Sequence, residues 1–220
     1  MHCLIADQAA GRRQRSAERR IRDARFRDNG TLESFDWKFN EQTIDRGRME
    51  ELASGEFVRR GENLVLVGQS GLGKSHLLQG IARRLCLLGY RVRYITSAEL
   101  VNDLAASRAD ATFSRRLRYF GNFDLLAIDE FGFEKLERMD HPQAANLLYK
   151  VIEARYPRRS TALVTNIDFD AWGDYLGDPP LAMAFLDRVV DGAIVLKLEG
   201  KSYRAHRARR VDAKPPSSKK

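Results

Sequence analysis

The chain has 220 residues, of which 43% are hydrophobic and 31% are charged, and its net charge is +8. This balance excludes a wholly disordered or fibrous chain, and the length suits one full domain with a short accessory segment. No apolar run reaches the roughly 18 residues of a transmembrane helix, and the N-terminus lacks the apolar region of a secretory signal. Two cysteines, Cys3 and Cys86, are too few for a disulfide framework, so a cytoplasmic location is expected.

The charge is distributed unevenly. Residues 1–30 carry a net charge of +4 and residues 197–220 one of +7, whereas residues 31–196 carry −3. Basic ends favour a polyanionic partner because Lys and Arg displace counterions from phosphates, although the same charges also suit solvated surfaces. We predict a basic helical arm over 1–30, a core domain over 31–198 and a basic, partly disordered tail over 199–220.

The predicted elements alternate between helix and strand after residue 60. In chain order they are a helix over 12–27, a loop over 29–37, a helix over 45–54, a strand over 63–67, a helix over 74–88, a strand over 91–95, a helix over 97–106, a basic stretch over 114–120, a strand over 123–128, a helix over 142–156, a strand over 160–165, a helix over 179–190 and a strand over 192–198. Ser97 and Pro142 open their helices, and Gly89 follows the end of one. This order predicts a three-layer α/β domain with a five-stranded parallel sheet and ligands beyond the carboxyl ends of the strands.

A glycine-rich loop joins the first predicted strand to a helix. Its sequence matches G-x-x-x-x-G-K-[ST] in full, with the flanking elements that a phosphate-binding loop requires. Backbone N–H groups and the helix N-terminus would bind phosphate oxygens, Lys74 would reach the β- and γ-phosphates, and Ser75 would hold Mg²⁺. The predicted nucleotide-binding residues are Gly68, Gln69, Ser70, Gly71, Leu72, Gly73, Lys74, Ser75 and His76.

Two carboxylates, Asp129 and Glu130, follow the predicted strand over 123–128. An aspartate there can bind Mg²⁺ opposite Ser75, and the adjacent glutamate can polarise an attacking water. Two neighbouring carboxylates would repel each other without a cation, so a metal site explains the pair better than an exposed acidic turn. The pair favours hydrolysis over kinase chemistry.

Two further residues complete the predicted catalytic set of Lys74, Glu130, Asn166 and Arg188. Asn166 follows the strand over 160–165, where its amide could touch the γ-phosphate or the lytic water, or could simply form a turn. Arg188 lies on the helix over 179–190. It could stabilise the transition state at the nucleotide of a neighbouring subunit, or form an ion pair with Asp187 or Asp191.

These motifs, in this order, resemble those of AAA+ ATPases of the DnaC-like branch. The segments ELASGEFVRRGENLVLVGQSGLGKSHL, FDLLAIDEFG and LDRVVDGAIVLKLEGKSYR are similar to the IstB family, the ATP-binding helpers of insertion-sequence transposition. The resemblance covers residues 12–208. The glycine-rich loop is generic, whereas the lead-in over 59–63 and the terminal EGKSYR are specific to this group.

The resemblance implies a P-loop NTPase of the AAA+ type, without a helical lid domain, that hydrolyses ATP with Mg²⁺. It implies assembly on double-stranded DNA as a ring or filament, mostly independent of sequence, and stimulation of a cognate transposase. Lys74 and Ser75 take the Walker A positions, Asp129 and Glu130 the Walker B positions, Asn166 the sensor 1 position and Arg188 the finger position. The family usually has a longer helical N-terminal region that engages the transposase, and this chain begins near the end of that region.

The remaining assignments leave alternatives open. Arg204 is the nearest candidate for sensor 2, and Phe35 suits either a place near the adenine or a core anchor. Phosphate contacts with DNA are expected from Arg115, Arg116 and Arg118, or from the arms over 12–27 and 204–210, and a solvated face is the alternative. The competing functions are a loader of the replicative helicase, a nucleotide-bound adaptor with little hydrolysis, which the intact Glu130 disfavours, and a small-molecule kinase, for which no acceptor site can be recognised.

Overall fold

The computed structural model describes residues 2–132 and 143–212. The helices, in chain order, are α1 (His2–Ala24), α2 (Arg46–Ala53), α3 (Glu56–Arg60), α4 (Lys74–Leu88), α5 (Ser97–Ala109), α6 (Phe113–Gly121), α7 (Ala144–Arg155), α8 (Trp172–Leu176), α9 (Pro179–Val190) and α10 (Tyr203–Asp212). The strands are β1 (Leu64–Gly68), β2 (Val92–Thr96), β3 (Leu125–Phe131), β4 (Ser160–Thr165) and β5 (Ile194–Leu198). In these two ranges no helix is both long and apolar enough to cross a membrane.

The five strands form one parallel sheet in the order β2-β3-β4-β1-β5, which confirms the predicted fold class. Parallel neighbours need crossover connections, and the helices supply them on both faces of the sheet. Leu64 and Leu66 of β1 point into a core shared with α2, α3 and α4, whereas Val65 and Val67 point into a second core shared with α5, α7 and α9. β1 is therefore apolar at successive positions because helices cover both of its faces.

The strand order decides which loops lie together. β4 lies between β1 and β3, although it follows both in the chain. The carboxyl ends of these three strands are therefore adjacent at one edge of the sheet. Any polar residue that follows β4 stands between the loop after β1 and the end of β3.

Several predicted boundaries are corrected by tertiary contacts. Thr96, not Ser97, caps α5, because its hydroxyl accepts from the Glu99 N–H while the Glu99 carboxylate accepts from the Thr96 N–H. Strand β3 continues to Phe131 rather than ending at residue 128, with a register shift against β4 between Ile128 and Phe131. Helix α10 lies within the predicted tail, whereas the expected disorder of residues 213–220 and the helix opening at Pro142 lie outside the described residues.

One buried arginine has no carboxylate partner among the described side chains. Arg155, at the end of α7, is 1% exposed, and its guanidinium donates to the carbonyls of Phe120, Phe123 and Ser160 and to the Thr161 hydroxyl. Burial lowers the pKa of Arg155 to about 9. These bonds tie the end of α6 and the turn before β4 to α7.

We expect an Arg155→Met variant to lose about 3 kcal/mol or more of the free energy of unfolding, since it leaves buried carbonyls without donors. Arg159→Met is the matched control, because Arg159 forms an exposed pair with Asp124 and is expected to cost about 1 kcal/mol at most. Urea denaturation of both variants measures the difference. Equal losses would show that the buried bonds of Arg155 contribute no more than the surface pair.

Candidate functional site

The loop between β1 and α4 closes tightly because two of its glycines adopt positive φ angles. Gly71 has φ 86° and Gly73 has φ 85°. A Cβ atom on Gly71 would collide with the side chain of Ser202, and one on Gly73 would lie 2.6 Å from Cε2 of Phe35. Glycine is thus required both by the backbone conformation and by the segments packed against the loop. The loop N–H groups and the start of α4 form the phosphate cradle that the motif predicts.

Lys74 is buried at the start of α4. Its Nζ donates to the carbonyls of Gly68, at 2.5 Å, and Gln69, at 2.8 Å. Burial lowers the pKa of Lys74 to about 8, and the charge of Asp129 opposes that change while Arg204 adds to it. The ammonium group therefore rests on the loop itself, where an incoming phosphate would offer stronger acceptors.

Asp129 is the buried carboxylate of the site and is 1% exposed. Its Oδ1 accepts from the Ser75 hydroxyl at 3.1 Å and from the Glu130 N–H at 2.8 Å, and its Oδ2 accepts from the Tyr94 hydroxyl. Burial raises the pKa of Tyr94, and the charge of Asp129 raises it further, so Tyr94 is held as a donor. The predicted metal-binding pair is therefore together, and a third residue orients its carboxylate.

The sequence analysis did not assign Tyr94 to the site, although its place in a buried strand indicates that its hydroxyl has a partner. Residue Thr96 of β2 pairs with Asp129 of β3 in the sheet, so Tyr94 lies two positions earlier on the neighbouring strand. A tyrosine in a buried strand needs a partner for its hydroxyl. The partner depends on which strands are adjacent, and the sequence alone leaves that undetermined.

Glu130 has an unusual backbone conformation for a side chain of its size. Its φ is 59°, in the left-handed region, at the point where β3 shifts register against β4. Its carbonyl accepts from the Ser97 hydroxyl, and its Oε1 accepts from Arg27 at 2.7 Å. Strained residues of this kind concentrate at functional sites, because the surrounding structure must maintain them. Arg27 was predicted only as part of a basic arm.

A cavity of about 410 Å³ lies at this edge of the sheet. The glycine-rich loop, Asp129, Glu130 and Asn166 form its inner wall, with Asn166 placed between the other two segments by β4. The N-terminal segment adds Phe35, which stands half-buried over Gly73 and packs against Trp37 with ring centroids 4.8 Å apart. Phe35 packs against the core and also lines the cavity, and its place near an adenine stays a prediction.

Helix α10 contributes a further part of the cavity wall. The Tyr203 N–H donates to the Gly71 carbonyl at 2.9 Å, and Tyr203 packs on Phe39 with centroids 5.1 Å apart. Arg204 and Arg207, three residues apart and therefore on one face of the helix, both line the cavity. Arg204 was the predicted candidate for sensor 2. Arg207 was not predicted to lie at the cavity, although its helical spacing from Arg204 would have suggested it.

Arg188 lies at the opposite edge of the sheet. Its carbonyl accepts from Asn63, which precedes β1, whereas the glycine-rich loop follows β1. The guanidinium stands over the Tyr156 ring at 4.8 Å, and no carboxylate among the described side chains is within ion-pairing distance of it. Asp191, one alternative partner considered above, instead accepts from the Tyr156 hydroxyl at 2.6 Å. Arg188 is therefore remote from the cavity of its own chain.

The three arginines of α6 differ in their surroundings. Arg116 binds both carboxylate oxygens of Asp103 and stacks over Tyr119, 4.6 Å from its ring centroid. The hydrogen bonds that Arg116 donates to Asp103 raise the pKa of Arg116. Arg115 and Arg118 are exposed. Of the three arginines of α6, Arg115 and Arg118 are therefore available to phosphates without the loss of an ion pair.

Proteins similar to this chain come from insertion sequences, and a helicase loader has the same fold. A protein of insertion sequence IS5376 from Geobacillus stearothermophilus, named for ATP binding, is 32% identical over 96% of this chain and 82% of its own length. The corresponding protein of IS21 from Pseudomonas aeruginosa is 34% identical over 91% of this chain and 74% of its own length. The crystal structure of the DnaC helicase loader shares the fold, with a TM-score of 0.63 and 19% identity over 78% of this chain and 97% of that one.

A family model described as "IstB-like ATP binding protein" matches residues 1–211. The match covers the glycine-rich loop, the Asp129–Glu130 pair and the segment from β5 into α10. It confirms the resemblance inferred from the lead-in to β1 and from the EGKSYR segment. The chain belongs to the family of IstB-like ATP-binding proteins of insertion sequences.

Proposed function

We propose that this protein is an Mg²⁺-dependent ATPase that assembles on double-stranded DNA and assists the transposase of its insertion sequence. The observation that carries the proposal is the convergence of Lys74, the Ser75–Asp129 pair, Glu130 and Asn166 on one cavity. Binding alone would need only the glycine-rich loop. A glutamate fixed beside the metal-binding pair is the group that hydrolysis adds.

ATP and Mg²⁺ fit the residues at the cavity. The loop N–H groups and Lys74 supply positive charge for the phosphates. The Ser75 hydroxyl and Asp129 carboxylate, 3.1 Å apart, are oxygen ligands of the type that Mg²⁺ takes from proteins, with phosphate oxygens and waters completing the shell. When bound, the metal would neutralise charge on the phosphate oxygens. Relatives at 32% and 34% identity are named for ATP binding, which supports the same ligand here.

Each side chain at the cavity has its own role in hydrolysis. Lys74 binds the β- and γ-phosphates, and Asp129, oriented by Tyr94, holds its place opposite Ser75. Glu130 accepts a proton from the water that attacks the γ-phosphorus, while Asn166 orients that water or the γ-phosphate. Arg188 is remote from this cavity, so we assign it to the cavity of a neighbouring subunit, which requires self-association in a ring or filament.

DNA binding is supported by charge and by the relatives' origin. The ends of the chain carry the excess basic residues, and Arg115 and Arg118 add exposed charge on α6. Charges of this kind bind the phosphate backbone without reading bases. The insertion-sequence origin of the relatives supports a transposase as the protein partner. The helicase-loader alternative has only a shared fold in its favour.

Steady-state ATP turnover with and without nonspecific duplex DNA, at two salt concentrations, tests the proposal. We expect stimulation by DNA that weakens at the higher salt concentration, because phosphate contacts release counterions. Turnover that ignores DNA under both conditions would contradict the DNA-dependent part of the proposal. Absence of Mg²⁺-dependent turnover would contradict the hydrolytic part.

An Arg115→Gln/Arg118→Gln double variant refines the same assay. If α6 contacts DNA, the salt dependence of DNA affinity should fall by about one unit of slope for each lost phosphate contact. Arg116→Gln is not a suitable control, because that residue holds Asp103. Arg48→Gln, which removes an exposed partner of Glu51 on α2, is expected to leave the slope unchanged.

A further inference from the structure

Helix α1 ends next to the catalytic edge of the sheet. Ala24, its last residue, is fully buried, and Arg25 turns the chain with φ 58°. Phe26 then packs against Tyr94 with ring centroids 6.0 Å apart, and Tyr94 donates to Asp129. The next residue, Arg27, forms the ion pair with Glu130 at 2.7 Å. Consecutive residues after α1 therefore contact Glu130 directly and Asp129 through Tyr94.

The backbone at Arg27 is fixed to the helix that begins with Lys74. The N–H groups of Arg27 and Asp28 both donate to Oε1 of Gln79, at 3.1 and 3.2 Å. Gln79 is buried in α4, and its amide in turn donates to the Asp28 carboxylate. Arg83, also on α4, donates to the Asp28 carbonyl. The Arg27 side chain is thus presented to Glu130 from a rigid attachment.

The ion pair joins Glu130 to the segment that follows α1. Glu130 and Asp28 line the cavity, whereas Arg27 is not part of its wall. The hydrogen bond therefore engages Oε1 with a side chain that does not line the cavity. Both side chains are about half exposed, at 49% and 42%, so the pair is weak enough to be broken by a competing charge.

The outward face of α1 carries arginines that could bind such a competing charge. Arg12, Arg15, Arg19 and Arg22 are exposed and follow one another at spacings of three and four residues, which places them on one side of the helix. The opposite side packs on the core through Ala17, Ile21 and Ala24. A polyanion bound along the arginine side would bring phosphates close to the exposed Arg27 side chain, where they compete with Glu130 for its guanidinium.

We propose that Arg27 is a positioning residue that restrains Glu130, and that a nucleic-acid backbone bound to the arginine side of α1 releases it. The inference rests on the proposed ATPase function and names the link by which DNA accelerates hydrolysis. In the DNA-free state Oε1 of the carboxylate is held by Arg27 and is not placed against an attacking water. In the DNA-bound state it turns to the cavity.

The test measures turnover of an Arg27→Gln variant with and without nonspecific duplex DNA. We expect DNA-free turnover to rise by about two- to five-fold, the factor that an exposed ion pair can contribute, with DNA-saturated turnover unchanged. The stimulation ratio then falls by the same factor. Arg27→Lys, which keeps the charge, is expected to retain most of the restraint.

Arg84→Gln is the matched control. Arg84 of α4 pairs with Glu33 at 2.5 Å, so this variant breaks a different exposed ion pair of the same N-terminal segment, one that joins it to α4. We expect both of its turnover rates to equal those of the wild type. Thermal unfolding of each variant verifies that the fold is intact, and a merely structural role of Arg27 would lower turnover in both states.

The outcomes separate this inference from the proposed function. If the wild type shows no turnover, or none stimulated by DNA, the proposed function fails. If the wild type is stimulated but Arg27→Gln shows no rise in DNA-free turnover, or keeps the full stimulation ratio, the restraint by Arg27 is overturned. An Arg12→Gln/Arg15→Gln/Arg19→Gln variant should require more DNA for half-maximal stimulation, and an unchanged requirement would overturn release through α1.

Discussion

A Glu130→Gln variant is expected to bind ATP as the wild type does and to hydrolyse it about 10²- to 10⁴-fold more slowly. The amide keeps the size of the side chain and its contact with Arg27 but cannot accept a proton from water. Asp129, Ser75 and Tyr94 are untouched, so the metal-binding pair stays intact. The loss should therefore appear in kcat, with little change in the affinity for ATP.

Single-turnover hydrolysis and equilibrium binding of a fluorescent ATP analogue separate the two effects. Lys74→Ala is the matched comparison, because it removes the buried ammonium group at the loop and should weaken binding itself. If Glu130→Gln retained turnover within a few-fold of the wild type, another group would have to serve as the base. The adaptor alternative predicts negligible turnover in the wild type as well.

An Arg188→Ala variant is expected to lose about 10³-fold or more in DNA-stimulated turnover while it still binds ATP. The five residues of β1 separate Arg188 from the glycine-rich loop by about 16 Å, so this arginine cannot serve the cavity of its own chain. Its guanidinium rests on Tyr156 and has no described carboxylate partner, which leaves it available to a neighbouring subunit.

Mixing two inactive variants tests the action between subunits. Lys74→Ala provides an intact Arg188, and Arg188→Ala provides an intact cavity. In a 1:1 mixture with random head-to-tail neighbours, about a quarter of the sites would be complete, so activity should return. Activity that stays absent in the mixture, or wild-type turnover by Arg188→Ala alone under DNA-saturating conditions, would contradict the assignment.

Local sequence patterns predict most of the fold and the centre of the site. Apolar runs such as 64–67 and 162–164 lie in buried strands because helices cover both faces of a parallel sheet. The glycine-rich loop can also be recognised in the sequence, because its backbone requires glycines at positions of positive φ.

Helix α10 was not predicted because its sequence is strongly polar. The aromatic contact between Tyr203 and Phe39 and the bond to Gly71 accompany its docking, and they involve residues far apart in the chain.

The sequence by itself determined the parallel α/β class, the phosphate loop, the Asp129–Glu130 pair and the family, because each depends on neighbouring residues or on a motif of fixed spacing. Only the tertiary structure decided that Tyr94 orients Asp129, that Arg27 holds Glu130 and that Arg188 stands at the far edge of the sheet. These relations follow from strand order and from helix docking, which join residues 35, 103 and 125 positions apart. Hydrophobic periodicity shows which face of an element is buried, but not which other element covers it.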